Sequence, residues 1–320
     1  MRGRRVVVIG GTGHIGSYLV PRLVELGFEL VSVSRQQREP YHTHGAWRRV
    51  QQVVIDRAEV EAAGEFGLQI AALKPDIVID LICFTPESNR GMVEALRGKI
   101  QHFLHCGTIW VHGPSTEVPT PETAARRPFG EYGLNKAVIE HDLLCEARQH
   151  GFPTTVLHPG HIVGPGWTPL NPAGNFNPEA FARLARGIEL SLPNFGLETV
   201  HHVHADDVAQ GFEKAVTHWS SAVGESFHLV SPAAVTLRGY AEAVASWFGH
   251  DAALTFLPFE TWRETVSEDD AQATWEHIAR SPNCSIVKAQ RDLGYSPRYS
   301  SLQAVRESLT SLIERGVVMP

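Results

Sequence analysis

The sequence predicts an α/β protein, a doubly wound parallel sheet followed by a smaller mixed region, and three observations carry that prediction. Four β-branched residues, Val6 to Ile9, run directly into a glycine-rich turn, Gly10, Gly13 and Gly16, that opens an amphipathic helix. Apolar runs of strand length then alternate with helical patterns of about ten to fifteen residues, which implies parallel βαβ units with helices on both sheet faces. Beyond Pro153 the alternation breaks: glycine and proline crowd Gly160 to Gly174, and later helices no longer alternate regularly with strands.

Each element follows from its local pattern. Leu19, Leu23, Val24 and Leu26 repeat at helical spacing up to Gly27, which ends the helix, while Pro21 inside it should bend it. Phe28 to Ser34 reads as the second strand and Val50 to Ile55 as the third, ending in Asp56. Lys74-Pro75-Asp76 is a turn into a fourth strand that reaches Leu81. A helix from Pro86 to Leu96, a strand from Gln101 to Cys106 and a helix from Glu131 to about His150 continue the series, and Ser226 to Val230 reads as a late strand returning to the sheet. We therefore expect a Rossmann-type sheet over residues 1–158, rejoined by strands near 200–230, with 159–320 forming mainly a substrate-binding region.

Composition narrows the function. The chain has 320 residues and a formal net charge of −7, which disfavours a nucleic-acid partner held through its phosphates. Arg2, Arg4 and Arg5 flank the first strand and read as a solvated edge. The four cysteines, Cys83, Cys106, Cys145 and Cys284, are scattered without a CxxC pair, so neither a disulfide framework nor a cysteine zinc site is expected and a reducing cytoplasm fits. The first strand starts close to Met1, leaving no room for a signal peptide ahead of it, and no apolar run approaches the roughly 18 residues of a membrane span.

The chemistry is concentrated at strand ends. Unpaired N–H groups and the positive end of the first helix suit a pyrophosphate; Gly10 permits the turn, Gly13 the approach of backbone to phosphate, and Gly16 the packing of the helix. Ser34-Arg35 stands where an acidic residue would select NAD, and a guanidinium beside a small hydroxyl suits the 2′-phosphate of NADP; Arg35 pointing simply into water is the other reading. Asp56 is placed to accept from an adenine amino group. Thr108 follows the fifth strand, and Tyr132 and Lys136, four apart, share a helix face. An ammonium group near the phenol, with an oxidised nicotinamide, would keep Tyr132 ionisable, so that it could take a proton from a hydroxyl while hydride leaves the same carbon, or return it in reduction.

With these motifs the sequence resembles the extended short-chain dehydrogenase/reductases, the NAD-dependent epimerase/dehydratase family. The likeness extends through His158-Pro159-Gly160-His161, Val203-His204-Ala205-Asp206-Asp207 and the C-terminal Ser285-Ile286-Val287-Lys288-Ala289. It implies a catalytic set of Thr108, Tyr132 and Lys136, and a cofactor, NAD or more readily NADP, on Gly10, Gly13, His14, Ile15, Gly16, Ser34, Arg35, Asp56, Leu81, Lys136 and His158. It also implies a homodimer through a four-helix bundle built on the Pro86 and Glu131 helices.

Departures from the family pattern restrict the substrate. Ile109 and Trp110 replace the acidic pair that follows the catalytic threonine in dehydratases. Nucleotide-sugar epimerases usually carry arginines where His158 and about Val200 stand and an asparagine at His161, and His112 replaces the usual tyrosine. His112, His161 and His202, with Asn175 and Asn177, are the candidate substrate contacts; turn formation explains the asparagines equally well. A metal site could be drawn from His202, His204 and Asp206, but the mechanism needs none and no metal is expected. The reading is an NAD(P)-dependent epimerase or ketoreductase acting on a sugar, nucleotide-linked by resemblance. The alternative is a non-catalytic dinucleotide-binding sensor or scaffold, with RNA as a conceivable ligand.

Overall fold

The computed structural model describes residues 3–36 and 39–320, so Arg2 lies outside the described residues. A seven-stranded sheet organises the chain: β1 (Arg5–Ile9), β2 (Glu29–Ser34), β3 (Gln51–Val54), β4 (Ile77–Asp80), β5 (His102–Cys106), β6 (Thr154–Pro159) and β7 (Ser226–Leu229). Their spatial order is β7-β6-β5-β4-β1-β2-β3, and every neighbouring pair is parallel. The winding direction reverses between β1 and β4, where Ile9 pairs with Asp80. A crevice therefore opens beyond the carboxyl ends of these two strands.

Alternation along β1 divides the core. Val6 and Val8 enter a cluster with Leu19 and Leu23 of α1 (His14–Glu25), while Val7 and Ile9 enter another on the opposite face. That second cluster draws Ile70 from α2 (Phe66–Ala72), Met92 from α3 (Pro86–Leu96) and Ile139 from α4 (Glu131–His150). The first is completed by Phe212 of α5 (Ala205–Thr217) and by Ile286, Leu293 and Tyr295, which fold back from the C-terminal part onto the sheet. A third cluster, including Phe181, Tyr240, Trp262 and Leu309, is built wholly from residues beyond 169.

Boundaries differ from the sequence expectation for local reasons. Phe28 does not start β2, because its N–H donates to Leu23 O at 3.2 Å and closes the end of α1. Val50 donates to Trp47 O and ends a short 3-10 turn, so β3 begins at Gln51. Asp56 leaves the strand altogether and caps the helix Arg57–Glu61, its Oδ1 accepting from Ala58 N at 3.0 Å. Helix α1 continues through Pro21 to Glu25. Of the strands expected near 200–230 to rejoin the sheet only Ser226–Leu229 does, because Thr199–Val200 pairs with Val235–Thr236 and His202–His204 with His161–Val163; a further short pair joins Leu190–Pro193 to Leu254–Leu257. No helix among the described residues is long and apolar enough to cross a membrane.

Candidate active site

The crevice is a trough of two adjoining hollows, of about 560 Å³ and about 650 Å³, that share Gly10, Gly13, Ile82 and Phe84. At the junction the chain turns through Gly10 at φ +85°, with Gly13 N donating back to Gly10 O at 2.9 Å. A Cβ on Gly10 would stand 2.9 Å from Ile82 Cγ2, so the turn has no room for a side chain. Helix α1 begins at this point with Gly13 as its N-cap and no side chain capping it. Uncapped N–H groups and the positive helix end thus face the trough where an anion would sit.

The smaller hollow ends at Ser34, Arg35 and Asp56. Ser34 Oγ is spent on Gln36 O at 2.9 Å, whereas the exposed Arg35 has no hydrogen-bond or ion-pair partner among the described residues. The floor is braced by Arg57. Its Nη1 reaches both Asp80 oxygens at 2.9 Å, Nη2 donates to Ser88 Oγ at 2.6 Å and Nε to Glu61 at 2.5 Å, tying the end of β4 to two neighbouring helices. Asp80 is fully buried, and a carboxylate there requires such a cation.

The larger hollow holds Thr108, Tyr132 and Lys136 on one wall. Thr108 follows β5, its Oγ1 accepting from Trp110 N at 3.3 Å, and Tyr132 and Lys136 occupy successive turns at the start of α4. Lys136 Nζ donates to Cys106 O at 2.6 Å and Cys83 O at 2.7 Å, and lies 5.8 Å from the centre of the Tyr132 ring. Burial pulls the Lys136 ammonium below its ordinary value, with the Cys106 and Cys83 thiols and Asp80 opposing. Tyr132 is 41% exposed. Desolvation, and then the Cys106 thiol, push its hydroxyl up to about 12 against the lowering contact from Thr108. Two of the three N–H donors of Lys136 are thus engaged by carbonyls, and its ammonium stays beside the Tyr132 ring.

The sequence profile of the NAD dependent epimerase/dehydratase family matches residues 6–229, which carry all of these groups. The chain belongs to this family. Among curated relatives, 2′-dehydrokanamycin reductase of Streptomyces kanamyceticus is 26% identical over 83% of this chain and 72% of that protein. The chloroplast stem-loop binding protein of 41 kDa b from Arabidopsis thaliana is 23% identical over 98% of this chain and 80% of its own length. Among solved structures, a UDP-glucose 4-epimerase from Thermotoga maritima, determined with UDP-glucose, superposes with a TM-score of 0.72 at 20% identity, over 97% of this chain and 99% of that one. This likeness shows that the two share a fold.

As an epimerase/dehydratase family member the chain calls for a nicotinamide dinucleotide, and the trough fits one: it joins a glycine cradle and uncapped helix end to the exposed Arg35 on one side and to Thr108 and Tyr132 on the other. His14, Ile15 and Leu81 line the larger hollow together with the catalytic candidates. Gly16 lies behind the cradle, where a Cβ would come within 2.3 Å of Gly11 O.

Other candidates are placed elsewhere. His158 does not line the trough. Its Nδ1 accepts from Thr108 N at 3.0 Å and its Nε2 donates to Glu140 Oε1 at 3.0 Å, with Glu140 clamped by Arg126. His112 is paired at 2.8 Å with His228, Nε2 to Nε2, beneath the wall. Asn175 bonds Asn171 and Thr274, and Asn177 bonds Asp270 at 3.0 Å; both line a separate hollow of about 440 Å³. His202 is turned to Leu170 O at 3.1 Å and packs on Tyr240, while His204 meets Glu307 at 2.6 Å, so the two imidazoles do not converge. Among the described residues, no group of three His, Cys, Asp or Glu is arranged to hold a metal.

His161 is the one substrate candidate on the wall of the trough. The sequence reading missed Phe84, Trp110, Trp167, Phe176, Glu276 and His277 there. Trp110 was visible beside Thr108. Glu276 and His277, on the helix α6 (Glu268–Ile278), carried no motif at all.

Proposed function

We propose that the protein is an NADP-preferring ketoreductase acting on a carbonyl carbon of a sugar-like substrate. The observation that carries this reading is Thr108, Tyr132 and Lys136 on one wall, Tyr132 one helical turn from Lys136, in a hollow continuous with the glycine cradle. When bound, the cofactor supplies hydride at its nicotinamide ring. Thr108 and Tyr132 hold the reacting oxygen, and Tyr132 delivers the proton that oxygen needs as the carbonyl becomes an alcohol. Lys136 has used two of its three N–H donors on Cys106 O and Cys83 O, which leaves one for a ribose hydroxyl. Arg35 supplies a charge-assisted contact for a 2′-phosphate. The name of the reductase relative supports this direction; epimerisation uses the same groups with a cofactor that stays bound.

In this reading residues 1–158 hold the dinucleotide and 159–320 mainly the substrate, as the contributions of His161, Phe176 and His277 to the wall support. Leu134 and Val138 lie exposed on α4, and we assign them to a homodimer interface of the four-helix kind. The decisive experiment mixes the protein with NADPH and a panel of ketones. Tyr132→Phe should lower turnover by about 10²- to 10⁴-fold while NADPH fluorescence on binding is unchanged. Cofactor binding with no turnover across the panel, indifferent to that substitution, would instead favour a non-catalytic binding protein.

A further inference from the structure

The walls of the larger hollow restrict what lies beside the nicotinamide end. Among the residues lining it Lys136 is the cation, and two carbonyls already engage its ammonium. The nearby Arg280 does not line the hollow. Its guanidinium lies 3.7 Å from the centre of the Trp110 ring and 3.8 Å from that of Phe129, and it donates to Phe129 O at 2.7 Å and to Glu276 O. At 1% exposure it is fixed there. A diphosphate brought against this wall would find no positive partner and would meet the Glu276 carboxylate, a costly burial of unpaired charge.

The polar groups present have the opposite preference. His277 Nδ1 donates to Ala273 O at 2.6 Å, which fixes the tautomer and leaves Nε2 as an acceptor. His161, 4.8 Å from His277 between ring centres, has both nitrogens buried without a hydrogen-bond partner. Burial keeps both imidazoles neutral, His277 down to about 4 and His161 well below its ordinary value. His277 thus offers an acceptor and neutral His161 one donor and one acceptor, a set that suits hydroxyl groups, which both donate and accept. Trp110 and Phe176 meet the His277 ring edge to face at 5.1 Å and 5.5 Å and add flat apolar surface suited to the C–H face of a ring.

We infer that the trough takes a phosphate-free, hydroxyl-bearing ring ketone, or the matching alcohol, and not a nucleotide-linked sugar; this rests on the ketoreductase reading. His161 and His277 bind its hydroxyls, and Trp110 and Phe176 its ring.

Quenching of tryptophan fluorescence, with Trp110 and Trp167 in the wall, reads binding without turnover. The NADPH-loaded protein is titrated with a methyl glycoside ketone, with UDP and with UDP-glucose. The methyl glycoside should bind and consume NADPH, with both UDP compounds silent at millimolar concentration. His161→Phe should lose about tenfold or more in kcat/KM, mainly through KM, with NADPH affinity unchanged. Phe176→Arg, at an exposed wall position, should gain at least about tenfold in UDP binding. Tighter binding of UDP-glucose than of the methyl glycoside, or no binding of either, would overturn the inference. Binding of the methyl glycoside without hydride transfer to any carbonyl would sink the reductase reading and leave this one standing.

Discussion

Thr108 is held from behind. Its backbone N–H donates to His158 Nδ1, a bond that needs His158 Nε2 to carry the proton, and the Glu140 carboxylate accepts from that Nε2. Arg126 fixes Glu140 in turn and keeps its carboxyl charged, so the tautomer follows from an ion pair two residues removed from the substrate. His158 is thus a positioning residue. His158→Leu should cut kcat by about tenfold or more while NADPH affinity holds, because a misplacement of about 1 Å at the reacting oxygen is enough for a large loss; His158→Gln, which can place an acceptor on the Thr108 N–H, should recover part of it. Equal rates for both variants would show that the bond does not orient Thr108. At the other end of the trough, Arg35→Ala should weaken NADPH by about 10- to 100-fold, the worth of a hydrogen bond to a charged group, and leave NADH nearly untouched. Equal effects on the two cofactors, measured by fluorescence titration, would remove the NADP preference.

At the scale of elements, the crevice is kept open by contacts that join neighbours in space and not in sequence. Arg57, on the short helix after β3, pins the end of β4 through Asp80 and the start of α3 through Ser88. Arg57→Met would leave a fully buried carboxylate without its cation, and should cost about 3–5 kcal/mol in urea unfolding. A loss below about 1 kcal/mol, as for a surface ion pair, would mean that water reaches Asp80. Gly107 is a second such junction, since a Cβ there would lie 2.4 Å from His158 Nδ1. Strands and helices of the sheet were legible because periodicity and glycine turns are local signals, and β1, α3 and β5 lie where those signals put them. Thr108, Tyr132 and Lys136, the proposed catalytic set, could be singled out because each sits at a strand end or in the first turns of a helix. Partners such as Arg57 with Asp80, or His277 with the wall of the trough, depend on how distant segments pack, and no spacing in the sequence encodes that. The asparagines of residues 171–177 illustrate the converse: the turn chemistry visible in the sequence is what the structure uses them for, since they bond one another and the neighbouring helix.

For the molecule as a whole, the buried histidines set the response to acid. Desolvation holds His14, His102, His112 and His202 down to about 3, and His201 and His277 down to about 4. In the unfolded chain these rings take a proton near pH 6.5. Between that pH and their folded values the unfolded state binds more protons, so stability is complete above about pH 6.5 and falls as pH drops through the window. At pH 5 each ring costs about 2 kcal/mol, and the six together approach the about 5–15 kcal/mol by which a typical domain is stable. Glu122 and Asp207, raised by burial, act in the opposite sense, but they are two groups against six. The protein should therefore unfold cooperatively in acid with a midpoint between about pH 4 and 6, earlier than carboxylate titration alone would cause. Circular dichroism during an acid titration reads this directly. Substituting His102, which lies far from the trough on β5 and bonds Thr155 at 2.8 Å, with Gln should move the midpoint to lower pH. A midpoint below pH 4 that the substitution leaves in place would show that these rings remain accessible to protons in the folded protein.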